Sequence, residues 1–325
     1  MLWILVVLAS ISSAGLLAWI LCVRMPDSSH RGELPPATEG QGLLAGQLRD
    51  DVRALAGEIG ERSVRSPEAN RRAAERIEAS LRAAGLDPRI QDGNVAAEVR
   101  GSSLPDEIVI VGAHYDSAEG SPGANDNATG VAATLALARR FARSTPERTL
   151  RFVAFANEEP PSFGTDAMGS RIDARACRER GEDVVAMLSL ETLGCYTDEP
   201  GSQRYPIPLL NLLYPDRGDF VTFVGNVASG SLVRRAIGAF RERAGFPSEG
   251  AALPGWIPGV GWSDHDSYWR EGYPAIMVTD TALFRDPRYH TAWDTPEHVD
   301  FERLARVVEG LAAVVEELAA ATRGD

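Results

Sequence analysis

Three largely apolar runs, at residues 107–113, 149–155 and 184–190, each give way within a few positions to histidine or carboxylate: His114 and Asp116 after the first, Glu158 and Glu159 after the second, Glu191 after the third. Runs of this length, rich in β-branched and aromatic residues, are what strands buried on both faces require. Helical spacings occupy 128–142 and the neighbourhood of 167–180; further strands are expected at 220–224 and 275–278, and further helices at 229–244 and 301–321. This alternation predicts a three-layer α/β/α fold with a mostly parallel central sheet and helices on both faces. In open sheets of that kind, ligands sit beyond the carboxyl ends of the strands. The polar clusters occupy that position, so three strand ends aim imidazole and carboxylate groups at one region.

Ahead of this domain, residues 2–23 carry no charge and match the roughly 20 apolar residues that a helix needs to cross a bilayer. A cleaved secretory signal has a basic start and a small-residue cleavage site; no Lys or Arg precedes this run. The expectation is a transmembrane anchor or uncleaved signal, with secretion after cleavage as the alternative. Residues 24–42 are rich in Pro, Gly, Ser and Glu and read as a flexible linker. A single domain is expected from 43 to 325, opening with helices at 43–57 and 66–84. The second of these starts Ser66-Pro67-Glu68, a cap followed by proline at the first helical position.

A formal charge of −13 excludes nucleic acid as a partner on electrostatic grounds, because phosphate binding needs a basic surface. It also leaves room for bound cations. All 33 basic residues are Arg, a compositional bias without mechanistic weight. Cys22, Cys177 and Cys195 show no metal-ligand spacing. A Cys177–Cys195 bridge is one reading and two buried thiols the other.

The chemistry lies in five elements that are weak singly. His114-Tyr115-Asp116 offers an imidazole with a nearby acceptor for its second ring nitrogen, although such triplets are common on solvated loops. The segment Gly123-Ala124-Asn125-Asp126-Asn127 opens a helix, so Asp126 is either a cap or a rigidly held carboxylate. Glu158-Glu159 at a buried strand end repel one another unless a cation compensates. One can then bind metal while the other takes a proton as general base. With Glu191 and with His290, one of five histidines, the set amounts to two imidazoles and three carboxylates around Glu158, which suits two zinc ions sharing a carboxylate.

In this order, the elements His-x-Asp, Gly-Ala-x-Asp-Asn-x-x-Gly, Asn-Glu-Glu, Leu-Glu-x-x-Gly-Cys-Tyr, Ser-Asp-His and Tyr-His-Thr-x-x-Asp-Thr resemble those of the dizinc exopeptidases, the family of bacterial leucyl-type aminopeptidases and glutamate carboxypeptidases, related also to glutaminyl cyclases. They span residues 108–300. The resemblance implies that His114 and Glu191 hold one zinc, Glu159 and His290 the other, that Asp126 bridges them, and that Glu158 is the catalytic base. It places Asp116 behind His114, and by extension Asp294 behind His290. Two positions depart from the commoner family pattern: Glu191 and Asn125 stand where Asp is frequent.

The expected function is therefore a zinc-dependent metallopeptidase acting on peptides, with two zinc ions as cofactors. An aminopeptidase is preferred, because Glu158 and Glu191 can hold an α-ammonium group and no Arg cluster accompanies the metal motifs. A carboxypeptidase, a one-zinc glutaminyl cyclase, and a non-enzymatic receptor or scaffold ectodomain are the alternatives. Trp256, Trp262, His265 and Tyr268 are candidates for a side-chain pocket. The apolar amino-terminal run gives the expectation of a single-pass membrane protein, and the resemblance implies that its catalytic domain lies outside the cytoplasm. Oligomeric state is left open.

Overall fold

The computed structural model describes residues 19 and 22–321. Its centre is an eight-stranded sheet in the order β1-β2-β4-β3-β5-β8-β6-β7. The inner strands are β3 (Leu104–His114), β4 (Arg148–Phe155), β5 (Asp183–Glu191) and β8 (Ala275–Thr279), and these run parallel to one another. Antiparallel joints appear only outside them. β2 (Asn94–Val99) meets β4 and pairs with β1 (Arg89–Gln91); β6 (Val221–Gly225) meets β8 and carries β7 (Ser248–Ala252) in parallel at the opposite edge. The expected sheet is thus parallel at its core and mixed toward its margins.

The alternation of side chains along β3 divides the molecule. Val109, Val111 and Ala113 point into the larger core. That core contains Leu48 of α1 (Glu39–Val52), Ile77 of α2 (Pro67–Ala83), Leu137 of α3 (Gly130–Phe141), Ile237 of α5 (Gly230–Arg243) and Leu311 of the closing helix α8 (Phe301–Ala319). Ile108 and Ile110 point the other way, against α4 (Gly169–Glu179) and the short α6 (His265–Arg270), through Ala174, Cys177 and Tyr268. Burial on both sides is why the central strands read as unbroken apolar runs. Short α7 (Ala282–Arg285) precedes the loop that carries His290.

The strands that escaped expectation, β1, β2 and β7, lack a long apolar run. β1 is exposed throughout and joins β2 through Asp92-Gly93, both with positive φ, a hairpin turn. β7 is Ser-Glu-Gly-Ala-Ala, small residues on an edge strand.

The amino-terminal region departs from a free linker. α1 begins at Glu39, capped by Thr38 with Gln41 reciprocating, four residues ahead of the expected boundary. Upstream, Arg241 donates to the carbonyls of Pro26 and Asp27, Ser29 accepts from the Ser248 amide, and Arg306 donates to the Pro35 carbonyl. Arg side chains from α5 and α8 satisfy these carbonyls, so a stretch without periodicity is nonetheless packed against the domain. The expected membrane segment, residues 2–23, lies outside the described residues apart from 19, 22 and 23. Among the described residues, no helix is long and apolar enough to cross a membrane. Cys177 and Cys195 are separate buried thiols, and the bridge between them is not formed.

Candidate active site

His114 is the last residue of β3, and Glu191 the last of β5. Glu158 and Glu159 follow β4 after Asn157, which turns the chain with φ of 56°. Asp126 sits in the loop before α3, and His290 in the loop after α7 with φ of 58°. All are buried except His290, which closes the cluster from the solvent side. Every expected ligand position converges on one spot.

Two triads result, each with ligand atoms within 4.8 Å of one another, and Asp126 belongs to both. His114 Nε2 lies 3.3 Å from Asp126 Oδ1 and 3.3 Å from Glu191 Oε2. His290 Nε2 lies 2.9 Å from Asp126 Oδ2 and 3.3 Å from Glu159 Oε2. One carboxylate therefore presents a different oxygen to each half. Donors about 2.1 Å from a tetrahedral zinc ion stand about 3.4 Å apart, so this spacing and this mixture of imidazole and carboxylate fit zinc. Glu158 Oε2 stands 3.8 Å from His114 Nε2, beside the first triad and outside both.

Electrostatics favour a cation here. Burial, with the neighbouring Asp126 charge, pushes Glu159 up to about 7. Burial also raises Glu191, and it raises Glu158 well above the carboxylate range, with Glu159, Glu191 and Asp264 adding to the effect against the opposing pull of His114. Asp126 goes the other way: hydrogen bonds to His114 and His290 outweigh its burial and hold it below the usual range. His290 is lifted to about 10, Asp126 and Glu159 prevailing over desolvation. A bound cation would relieve the mutual repulsion of these four carboxylates, which is among the causes that raise Glu158, Glu159 and Glu191.

The supporting shell has a symmetry that sequence reasoning missed. Asp116 accepts hydrogen bonds from the backbone amides of Glu158 and Glu159, both at 3.0 Å, while its Oδ1 stands 3.4 Å from His114 Nδ1. Asp294 accepts from the amides of Asn125, at 2.7 Å, and Asp126, at 3.0 Å. Each carboxylate thus locks two consecutive amides of a ligand-bearing loop. The expected role of Asp294 behind His290 is corrected: both its oxygens are committed to the Asp126 loop. His290 is instead stacked on Tyr289, ring centroids 3.9 Å apart.

Asn125 donates to Asp280 at 3.0 Å and accepts from the Gly194 amide at 2.7 Å. An aspartate there would set two carboxylates against each other, which explains the departure at this position. Glu191, the other departure, is held by Ser263 Oγ at 2.7 Å, itself 2.9 Å from Ser189. Beneath the loops, fully buried Arg62 donates to the carbonyls of Leu55, Gly60, Tyr115, Pro122 and Gly123, and burial lowers its guanidinium to about 10. A lone Arg in a polar stretch gave no sequence signal for that role.

Beside Glu191 and Tyr289 opens a largely apolar cavity of about 880 Å³ that includes open solvent. Trp262 lines it. Trp256 does not, and is mostly exposed. His265 is buried with Nε2 on the Val260 carbonyl at 2.8 Å and its ring edge-on to Trp269. Tyr268 lies beneath the sheet, bonded to Asp173 and packed on Phe155. Tyr268 is therefore structural, in the core under the sheet, and His265, fixed on the Val260 carbonyl, does not line the cavity either.

Comparison with known sequences matches residues 94–315 to the model of peptidase family M28. The chain belongs to this family. It is 38% identical over 285 residues to an uncharacterised protein of Escherichia coli K12, covering 83% of this chain and 87% of that one. A probable zinc metalloprotease of the fungus Leptosphaeria maculans is 28% identical over 253 residues, 67% of this chain and 55% of its own. The chain thus spans most of the bacterial relative and about half of the fungal one. Among solved structures, a zinc aminopeptidase from Bacillus subtilis superposes with a TM-score of 0.68 at 17% identity, covering 90% and 98% of the two chains. A glutaminyl cyclase from Bacteroides thetaiotaomicron gives 0.64 at 17%, covering 87% and 99%. The family assignment agrees with the zinc-peptidase reading of the motifs, and the superpositions establish the three-layer fold.

Proposed function

We propose that this M28 member is an aminopeptidase that works with two zinc ions, one held by His114 and Glu191, one by Glu159 and His290, with Asp126 shared. The observation that carries this reading is the pair of triads meeting at the two oxygens of a single carboxylate. When bound, the ions supply Lewis acidity toward a peptide carbonyl and make water a better nucleophile near neutral pH. The chain's residues do the rest. Glu158, whose buried carboxylate has raised proton affinity, takes a proton from the attacking water and returns it to the leaving nitrogen. Asp116 and Asp294 hold the loops that aim Glu158, Glu159 and Asp126. Glu191 and Glu158 offer anionic oxygens to a substrate α-ammonium, and the adjoining cavity receives the first side chain.

The test is bound metal per chain, paired with hydrolysis of aminoacyl amides before and after chelation. About two zinc ions with chelator-sensitive release is the expected result. One zinc with conversion of an amino-terminal glutamine would favour a cyclase instead, and no metal with no turnover would leave a scaffold. The membrane anchor and extracytoplasmic placement belong to the same proposal; a domain protected from protease on intact cells would rule that placement out.

A further inference from the structure

The cavity beside the proposed metal centre is not uniformly apolar. Four residues lie in one register row across the sheet: Glu191 on β5 pairs with Thr279 on β8, Thr279 with Thr222 on β6, and Thr222 with Glu249 on β7. Residues paired in this way present their side chains to the same face, and all four line the cavity. Three inter-strand steps separate the backbone of Glu191 from that of Glu249 by about 14 Å. Leu253, Ile257, Val260 and Met277 give the same cavity an aliphatic wall.

Most polar groups around this cavity are satisfied within the protein. Tyr205 donates to the Pro215 carbonyl, Tyr214 to the Gly250 carbonyl, and Gln203 Oε1 accepts from Thr281 and Arg285. Two groups at the end remote from the metals are not. Thr222 Oγ1 is buried without a hydrogen-bond partner. Glu249 makes neither hydrogen bond nor ion pair among the described residues, and its surroundings raise its proton affinity through desolvation, against the distant pull of Arg241 and Arg31. Arg241 is turned elsewhere, onto the carbonyls of Pro26, Asp27 and Ser248.

We infer that this cavity selects an amino-terminal residue with a long cationic side chain, arginine or lysine, whose apolar stem lies along the aliphatic wall and whose charge reaches Glu249 and Thr222. This rests on the aminopeptidase reading. An apolar side chain long enough to fill the cavity would seal the Glu249 carboxylate from water with no partner, which is costly. A short one would leave the far end empty. A cationic one gives the carboxylate its missing partner and Thr222 a donor to accept from, so discrimination comes from the attractive contact and from the penalty on the apolar competitor.

The experiment uses the full zinc-loaded chain and three coumarylamide substrates, of arginine, its neutral isostere citrulline, and leucine. The expected kcat/KM for arginine exceeds that for citrulline by about 10- to 100-fold, the range of a charge-assisted hydrogen bond, and this ratio falls toward parity in Glu249→Gln. Turnover of the citrulline substrate by the variant shows that it has folded. Parity in the wild type, or an unchanged ratio in Glu249→Gln, would overturn the inference while leaving the aminopeptidase reading intact. Failure of the metal-loaded protein to hydrolyse any of the three would overturn both.

Discussion

Glu158 and Glu159 are neighbours with different surroundings, and that difference separates their proposed roles. Glu159 joins a triad with His290 and Asp126; Glu158 stands outside both triads beside His114. Glu158→Gln keeps size and removes the proton carrier, so zinc content should be unchanged while kcat drops by about 10²- to 10⁴-fold; near-normal turnover would exclude it as the base. Asp294→Ala should act without touching an ion, by releasing the amides that fix Asp126. Loss of such a supporting carboxylate weakens metal binding about 10- to 100-fold, readable by competition with a chromophoric chelator. His265 gives a pH signature. Burial pushes its imidazole from the ordinary 6.5 down to about 4, so between those values the unfolded chain binds the proton more tightly. Its contribution to stability is complete above pH 6.5 and is lost as pH falls toward 4, at a slope of at most about 1.4 kcal/mol per pH unit. His265→Gln, which keeps a donor toward Val260, should flatten that part of the wild-type acid-unfolding curve measured by denaturant titration.

The loop of residues 123–129 shows how an element is specified by what surrounds it. Gly123 has φ of 64°, and a Cβ there would come within 2.5 Å of the Asp126 carbonyl oxygen and of Ser117 Cβ. Gly120 also has positive φ, but a Cβ at that position would meet open space. Both alanine substitutions carry the left-handed backbone cost of roughly 1–2 kcal/mol. Only Gly123→Ala adds a backbone collision. Thermal unfolding should therefore show the larger loss for Gly123→Ala, with reduced metal content because Asp126 moves with the loop; Gly120→Ala should keep its metal.

For the domain as a whole, the acidic cluster makes stability depend on ligation. Ions bound only by the folded chain stabilise it by mass action, about 2.7 kcal/mol at a hundredfold excess over the dissociation constant. Chelation should lower the thermal midpoint, and added zinc should restore it. The amino-terminal segment contributes by ordinary packing: Met25 lies against Gly250, and Arg241 and Arg306 find their carbonyl partners there. Deleting residues 1–35 should lower the midpoint by several degrees even with zinc present. A free tether would leave it unchanged.

The central strands and the residues closing them were legible in the amino-acid order, because burial on both faces demands an unbroken apolar run and the strand ends must carry the chemistry. β1 and β7, exposed or built of small residues, have no such imprint. His114, Glu158, Glu159 and Glu191 could be placed near strand ends from the apolar runs, and the full ligand set, with Asp126 and His290 on loops, could be named because the ordered motifs resemble those of the dizinc exopeptidases. Their supporting contacts could not be named, since a hydrogen bond between Asp294 and the amides of Asn125 and Asp126 joins positions 169 and 168 residues apart. The same holds for the substrate pocket. Trp262 lines the cavity while Tyr268, six residues on, lies under the sheet. Glu249, on an unremarkable edge strand, reaches the cavity only because three strand pairings set it in register with Glu191. Side-chain chemistry is local and survives in the sequence; which groups face one another depends on register and packing between distant segments, and these exist only once the chain has folded.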